Sequence, residues 1–201
     1  NDGDREINPN EVERCGNSVD EDCEGGDDIC SNRIAVAVGG ERGVVIFHPE
    51  TGENYDISLD GVASFDSNYL STIAWSSDAS RLFFDGAPRG GASGIYSILG
   101  GGGNVNLVVT QEATPWGFSL SPDESEFVFG LLSGEQISRV DFDGSNLQVL
   151  VGCGTPCYKP SFSPDGTKIA FSEGDFYENQ NVVIVNSDGT NKENVTFPLR
   201  F

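Results

Sequence analysis

The stretch Phe162-Ser163-Pro164-Asp165-Gly166-Thr167-Lys168-Ile169-Ala170-Phe171 decides the fold of this 201-residue chain, because it recurs. Looser copies contain Ser121-Pro122-Asp123 and Ser76-Ser77-Asp78, so the aspartates lie 123 − 78 = 45 and 165 − 123 = 42 residues apart. A period in the forties that holds several short strands is typical of a β-propeller blade. Because one blade cannot bury its apolar face alone, the repeat predicts the architecture of the whole region.

Each repeat predicts short strands joined by tight turns. Asp143-Gly144 and Asp188-Gly189 lie between apolar stretches and predict hairpins, because glycine supplies the positive φ that tight turns need. The glycine run Gly100 to Gly103 turns the chain in the second repeat. The strands predicted for the second and fourth repeats are Thr72–Ser76, Arg81–Asp85, Gly94–Leu99, Asn104–Thr110, Ser161–Ser163, Lys168–Ser172, Asn181–Asn186 and Glu193–Thr196.

The first repeat lacks the motif but contains three strand-like segments, Arg33–Val38, Gly43–Phe47 and Tyr55–Leu59. We therefore predict an all-β fold, a β-propeller of about four four-stranded blades over residues 31–201. An irregular acidic, metal-binding N-terminal segment precedes it. The aromatic residues expected at equivalent core positions are Trp75, Phe118 and Phe162. An unrepeated β-sandwich with coincidental turns is the alternative.

These residues resemble the TolB-type, or PD40, propeller repeat. In that repeat, a strand ending in an aromatic residue precedes Ser-Pro-Asp-Gly, an Ile/Leu-Ala/Val-Phe strand and a hairpin with an Asp-Gly turn. The fourth repeat matches closely and the third moderately, while the second lacks both the proline and the glycine. The resemblance covers roughly residues 31 to 201. It implies a structural module whose aspartate shapes the turn, and it implies no catalytic residue.

Closure of the ring has two solutions. The first repeat lacks an inner strand, and the sequence stops at Phe197–Phe201, where the next inner strand would begin. In the first solution, those residues would pair with the first repeat and close a four-bladed ring that has no free sheet edge. Otherwise the chain continues, or a neighbouring molecule supplies the missing strand. The sequence leaves both solutions open.

Residues 1–30 have a different composition. They hold eleven acidic residues against two arginines, a local charge of −11 + 2 = −9, and almost no apolar side chains. The run from Glu13 to Asp28 resembles the acidic, cysteine-paired metal-binding motif of bacterial surface proteins, Glu-Val-Cys-Gly-Asp-Gly-Ile/Val-Asp-Asn-Asp-Cys-Asp-Gly. The chain departs from that pattern where Asn17 and Glu24 replace aspartates and where Gly3 replaces a frequent cysteine.

The resemblance implies a metal-binding set of six carboxylates: Asp2, Asp4, Glu13, Asp20, Asp22 and Asp28. Closely spaced carboxylates repel one another, and a hard cation that gathers six to eight oxygens relieves the repulsion. Calcium suits this set better than magnesium, which demands octahedral geometry and retains its waters. Softer metals are disfavoured, because the chain has one histidine, His48, and no methionine. The alternative is an acidic, disordered linker.

Five cysteines suggest an oxidising compartment. Cys153 and Cys157 lie in a connecting loop, where a short disulfide would close the turn; a zinc site there would need further ligands. Within the segment that resembles the metal-binding motif, Cys15 and Cys23 are the expected second pair. Cys30 is then left over, which suggests an intermolecular bond or an external partner.

The charge and the motifs exclude several classes of function. A net charge of −21 excludes nucleic acid as a partner, and no apolar stretch is long enough to span a membrane. His48 follows a strand at a turn, and no Gly-x-Ser-x-Gly nucleophile elbow is present, so we expect no enzyme. Asn194-Val195-Thr196 is a glycosylation sequon, which matters only in a host with the machinery.

Three functions remain. The first is a secreted or cell-surface structural or adhesive protein that associates with copies of itself, or with other extracellular proteins, through its propeller and calcium-binding segment. In that hypothesis, a head or tail that completes a neighbour's sheet builds a fibre. The second is a monomeric propeller that binds a protein or glycan. The third is the non-catalytic propeller of a larger hydrolase.

Overall fold

The structure is a computed structural model, and it describes residues 33–38, 43–49, 52, 54–57, 72–86, 92–111, 115–131, 134–175 and 180–196. All regular secondary structure in these residues is β-strand, which confirms the all-β prediction. In this part of the chain there is no helix with the length and apolar character to cross a bilayer. The chain divides into two compact units, residues 1–91 with 96–107 and residues 92–95 with 108–201.

The first compact unit begins with a three-stranded antiparallel sheet. Its strands, in spatial order, are β1 (Ile34–Val38), β2 (Gly43–Phe47) and β3 (Asn54–Ile57). They coincide with the three segments that lack the repeated motif, and the described part of this sheet has three strands where the other sheets have four.

The second sheet has four strands in sequential order. They are β4 (Ile73–Trp75), β5 (Arg81–Gly86), β6 (Ser93–Leu99) and β7 (Asn106–Gln111). Within the first compact unit, Leu82 and Phe84 of this sheet pack with Val44, Ile46 and Ile57 of the first sheet. Apolar residues therefore fill the space between two sheets, as expected for adjacent blades.

The second compact unit contains two further four-stranded sheets, again in sequential order. Their strands are β8 (Pro115–Leu120), β9 (Glu126–Leu131), β10 (Gln136–Asp141), β11 (Gln148–Gly152), β12 (Cys157–Phe162), β13 (Lys168–Glu173), β14 (Asn181–Asn186) and β15 (Glu193–Asn194). Val128 and Ile137 of the third sheet pack with Ile169, Val183 and Val185 of the fourth. We refer to the four sheets as the first to fourth blades.

The repeated motif forms the same turn in the second, third and fourth blades. In the fourth blade, Asp165 Oδ1 accepts hydrogen bonds from the Ser163 hydroxyl at 2.6 Å and from the Thr167 backbone N–H and hydroxyl at 3.0 and 2.9 Å. Ser76-Asp78-Ser80 and Ser121-Asp123-Ser125 repeat this pattern. The serine, the aspartate and the second hydroxyl residue define the turn, so proline and glycine are dispensable.

The expected equivalence of the three aromatic residues is correct for two of them. Trp75 pairs with Leu82 and Phe162 with Ile169, each directly before its turn. Leu120 occupies that position in the third blade, where it pairs with Phe127, and Phe118 pairs with Phe129 two residues earlier. Because side chains two residues apart share a face of a strand, the ring of Phe118 still enters the same core face.

Candidate interaction surface

One face of the first blade is apolar and exposed. Ile34 lies beside Phe47 and Val36 beside Val45 in the β1–β2 register, and directly paired residues share a face of the sheet. Ile34, Val36 and Phe47 are 49%, 48% and 36% exposed, whereas Ile46 on the opposite face is completely buried. These three residues, together with the half-buried Val45 on the same face, are called the first-blade open face below.

The β1 strand is also a free edge. The order β1-β2-β3 leaves β1 paired on one side only, within the residues that the structure describes. Unpaired backbone groups beside apolar side chains form a template on which another chain can add a strand.

The hairpin glycines show what the first blade lacks. A Cβ built on Gly189 would lie 2.3 Å from the Leu150 carbonyl oxygen, and one built on Gly144 would lie 2.7 Å from the Val108 carbonyl oxygen. A Cβ on Gly52, in the hairpin that connects β2 and β3, meets no atom within 4 Å. The outer strand of a preceding blade fills this space in the third and fourth blades, whereas no described residue fills it in the first blade.

Arg33 holds the start of the first blade in place. Its guanidinium donates hydrogen bonds to the carbonyl oxygens of Ala79 at 2.5 Å and Gly100 at 3.3 Å, and to the Tyr55 hydroxyl at 3.2 Å. It also lies 4.5 Å from the centre of the Trp75 ring, a cation–π contact. A single long side chain thereby joins the start of β1 to β3 and to the two neighbouring turns, β4–β5 and β6–β7, at one end of the second blade.

The fourth blade carries a second apolar patch. Ala170 pairs with Ile184 on one face, and Val182, which accepts the Val195 N–H through its carbonyl, lies on the same face. Val182 and Val195 are 42% and 38% exposed, whereas Val183 on the opposite face is 1% exposed. The set Ala170, Val182, Ile184 and Val195 is called the fourth-blade open face.

A cavity of about 320 Å³ lies in the second compact unit, beside the turns of the third and fourth blades. It is lined by Ser121, Pro122, Asp123, Ser125, Glu126, Arg139, Phe162, Asp165, Gly166, Ser187 and Asp188. Arg139 and Glu126 form an ion pair across its wall, at 2.5 Å. No histidine, cysteine or lysine is among these lining residues.

The three aspartates that line the cavity accept hydrogen bonds within their own turns. Hydrogen bonds from the Ser163 hydroxyl and from Thr167 lower the pKa of Asp165 to about 2. The Ser121 and Ser125 hydroxyls lower the pKa of Asp123, and Thr190 lowers that of Asp188. Ser121 donates its hydroxyl proton to Asp123 and accepts the Glu126 N–H. These groups stabilise the turns, and no histidine lies beside Ser121 among the residues that line the cavity.

The described residues contain no group of three or more His, Cys, Asp or Glu side chains that could hold a metal ion. His48 lies at the end of β2, with its ring 5.9 Å from that of Tyr55. Cys153 and Cys157 form a disulfide that bridges the loop between the third and fourth blades. This bond closes the connection between two blades within one compact unit.

The predicted metal ligands lie outside the described residues: Asp2, Asp4, Glu13, Asp20, Asp22 and Asp28. The same holds for Cys15, Cys23 and Cys30, so the calcium site and the second disulfide stay predictions.

Sequence reasoning predicted the three described strands of the first blade but missed its open face. The available signal was the run Ile34-Ala35-Val36-Ala37-Val38, which is apolar throughout instead of alternating. Continuous apolar strands are typical of sheets covered on both faces. The role of Arg33 was also missed, because its partners are 22 to 67 residues away in sequence.

Solved structures with a similar fold include β-propellers. They include a chain of a nidogen/laminin complex (TM-score 0.66, 13% identity), TolB from Acinetobacter baumannii (0.64, 21%) and a gluconolactonase from Xanthomonas campestris (0.59, 14%). The alignments cover 82%, 88% and 78% of this chain, and 61%, 47% and 56% of those chains. No protein-family profile matches the sequence, and no curated protein matches it significantly.

These similarities confirm the β-propeller fold, including its likeness to TolB. At such low identities they carry the fold alone, and the neighbours themselves differ in function. The chain spans 61% and 47% of the lengths of the first two neighbours.

Proposed function

We propose that this protein is a secreted, non-enzymatic structural or adhesive protein that associates with copies of itself. The observation that carries the proposal is the first blade, where β1 is paired on one side only among the described strands and Ile34 and Val36 are exposed on an apolar face. Such surfaces on soluble proteins mark interaction sites.

The remainder of the described chain supports a non-catalytic role. The cavity is lined by carboxylates and hydroxyls that are engaged in turns or, for Glu126, in an ion pair with Arg139. The Cys153–Cys157 disulfide favours an oxidising, extracellular location.

The acidic residues 1–30 supply the second part of the proposal, a calcium-binding head. With a net charge of −21, two copies repel each other. Calcium bound by Asp20, Asp22 and neighbouring carboxylates lowers this charge and thereby favours association. At high sodium chloride concentration, the repulsion between copies is screened without calcium. If association still requires calcium there, specific binding rather than screening accounts for its effect.

Sedimentation velocity on the full chain tests the proposal. We expect polymers in 150 mM salt with calcium, and smaller species after chelation. Val36→Lys should weaken association at least about tenfold, because a lysine placed in an apolar contact loses its hydration. Leu147→Lys is the matched control, because Leu147 is 54% exposed on a hairpin of the third blade, outside both apolar faces. This variant should associate as the wild type does.

A strictly monomeric wild-type chain, with and without calcium, would contradict self-association and favour the monomeric binding module instead. Isothermal titration without any calcium binding at millimolar concentration would remove calcium from the proposal.

A further inference from the structure

The two open faces correspond to the two sides of a contact that the molecule already makes. In the second compact unit, Val128 and Ile137 of the third blade cover Val183 and Val185 of the fourth. This third-to-fourth blade contact provides a template for any further blade-on-blade contact.

The fourth-blade open face matches the covering side of that template. Val128 lies seven residues after Ser121, and Ile137 lies seven residues before Gly144. In the fourth blade, the residue seven positions after Ser163 is Ala170, and the residue seven positions before Gly189 is Val182. Both belong to the fourth-blade open face.

The first-blade open face matches the covered side. In the hairpin of the fourth blade, the Asn186 carbonyl accepts a hydrogen bond from the Gly189 N–H. In the hairpin of the first blade, the His48 carbonyl accepts one from the Gly52 N–H. Counting back one and three residues from Asn186 gives Val185 and Val183, which are 0% and 1% exposed. The same count from His48 gives Phe47 and Val45, so these two residues of the first-blade open face correspond to the covered residues of the fourth blade.

The hairpin glycines agree with this correspondence. Gly189 packs against the carbonyl of Leu150, which lies six residues after Gly144. The equivalent of Leu150 in the fourth blade, six residues after Gly189, is Val195. No described residue occupies the equivalent space beside Gly52.

We propose that the fourth-blade open face of one copy covers the first-blade open face of the next, repeating the third-to-fourth blade contact between molecules. This inference rests on the proposed self-association and names its partner surface. Because the two faces are different surfaces, the contact is heterologous, and it propagates from copy to copy unless the assembly closes into a ring.

The test uses two single variants of the full chain and their mixture. Val36→Lys blocks the first-blade open face and Val182→Lys blocks the fourth, and both side chains are already partly exposed, so folding should persist. Each variant alone should lose polymers, with association weakened at least about tenfold. An equimolar mixture should form dimers and nothing larger, because one intact face remains on each partner.

The outcomes separate the two proposals. If wild type associates and Val36→Lys abolishes this while Val182→Lys does not, self-association stands and the assigned partner surface is wrong. A mixture that stays monomeric also overturns the partner surface. If wild type never associates, the proposed function itself fails. Circular dichroism of each variant and normal association of Leu147→Lys guard against unfolding as the cause.

Discussion

The first and fourth blades reach similar sheets by different means. The fourth blade is defined by local chemistry: Asp165 fixes one turn, and Gly189 fits its hairpin against Leu150. The first blade has no such turn in its described residues and relies on Arg33, which bonds to Gly100 across 67 residues of sequence. A repeated motif therefore indicates that a blade is stabilised by local turns. A blade that is stabilised by contacts between residues distant in sequence carries no such motif and is harder to predict.

The largest expected difference between the two blades lies in their hairpin glycines. Gly189→Ala should lower the free energy of unfolding by about 2–4 kcal/mol, because the backbone is left-handed, with φ of +83°, and the new Cβ would lie 2.3 Å from the Leu150 oxygen. Gly52→Ala has a similar φ of +76° but open space, so it should cost about 1 kcal/mol. Urea unfolding of both variants, in the Val36→Lys background to suppress association, measures the difference.

Equal losses in Gly189→Ala and Gly52→Ala would show that backbone strain alone accounts for the effect. The close contact between the third and fourth blades would then have no energetic weight, and the template for the contact between copies would lose its support.

The second difference concerns Arg33. Arg33→Met keeps the apolar stem but removes the donors to Ala79 and Gly100 and the cation–π contact with Trp75, so we expect a loss of about 2 kcal/mol. The effect should be confined to the first compact unit and should appear as faster amide exchange in β1 and β2. Arg33→Lys should restore only part of it, because an ammonium cannot reproduce the planar fork. Unchanged exchange in β1 and β2 of Arg33→Met would disprove the anchoring role.

The sequence predicted the blades because the information was local. A serine, an aspartate two residues later and a second hydroxyl residue two residues after that close one turn, and this spacing survives in Ser76-Ser77-Asp78-Ala79-Ser80 without proline or glycine. Even the left-handed residue of the turn varies: it is Gly166 in the fourth blade but Glu124, with φ of 57°, in the third. The turn's hydrogen bonds compensate for that backbone conformation.

The candidate interaction surface could be predicted only in part. The three strands of the first repeat are predictable from its apolar segments, but exposure of Ile34 and Val36 depends on which face another blade covers. That choice is made by contacts such as Leu82 with Val44, which are distant in sequence. Position relative to a hairpin, as for Val45 and Val183, becomes informative only after the strand register is known.

The smallest expected difference is acid sensitivity. The serine and threonine hydrogen bonds lower the pKa of Asp165 from 3.8 to about 2. A carboxyl whose pKa is lower in the folded than in the unfolded state contributes stability that is complete above the unfolded value and is lost as the pH falls from about 4 toward 2. Asp165→Asn should therefore be slightly less stable than wild type at pH 7, and should lose less stability on acidification.

Urea midpoints at pH 7, 4 and 2.5 measure this difference in stability. Asp56→Asn in the first blade is the control, because Asp56 lies outside any Ser-x-Asp turn. If Asp165→Asn and wild type lose stability in parallel between pH 4 and 2.5, the turn aspartate does not contribute through its charge, and its hydrogen bonds act equally well in a neutral side chain.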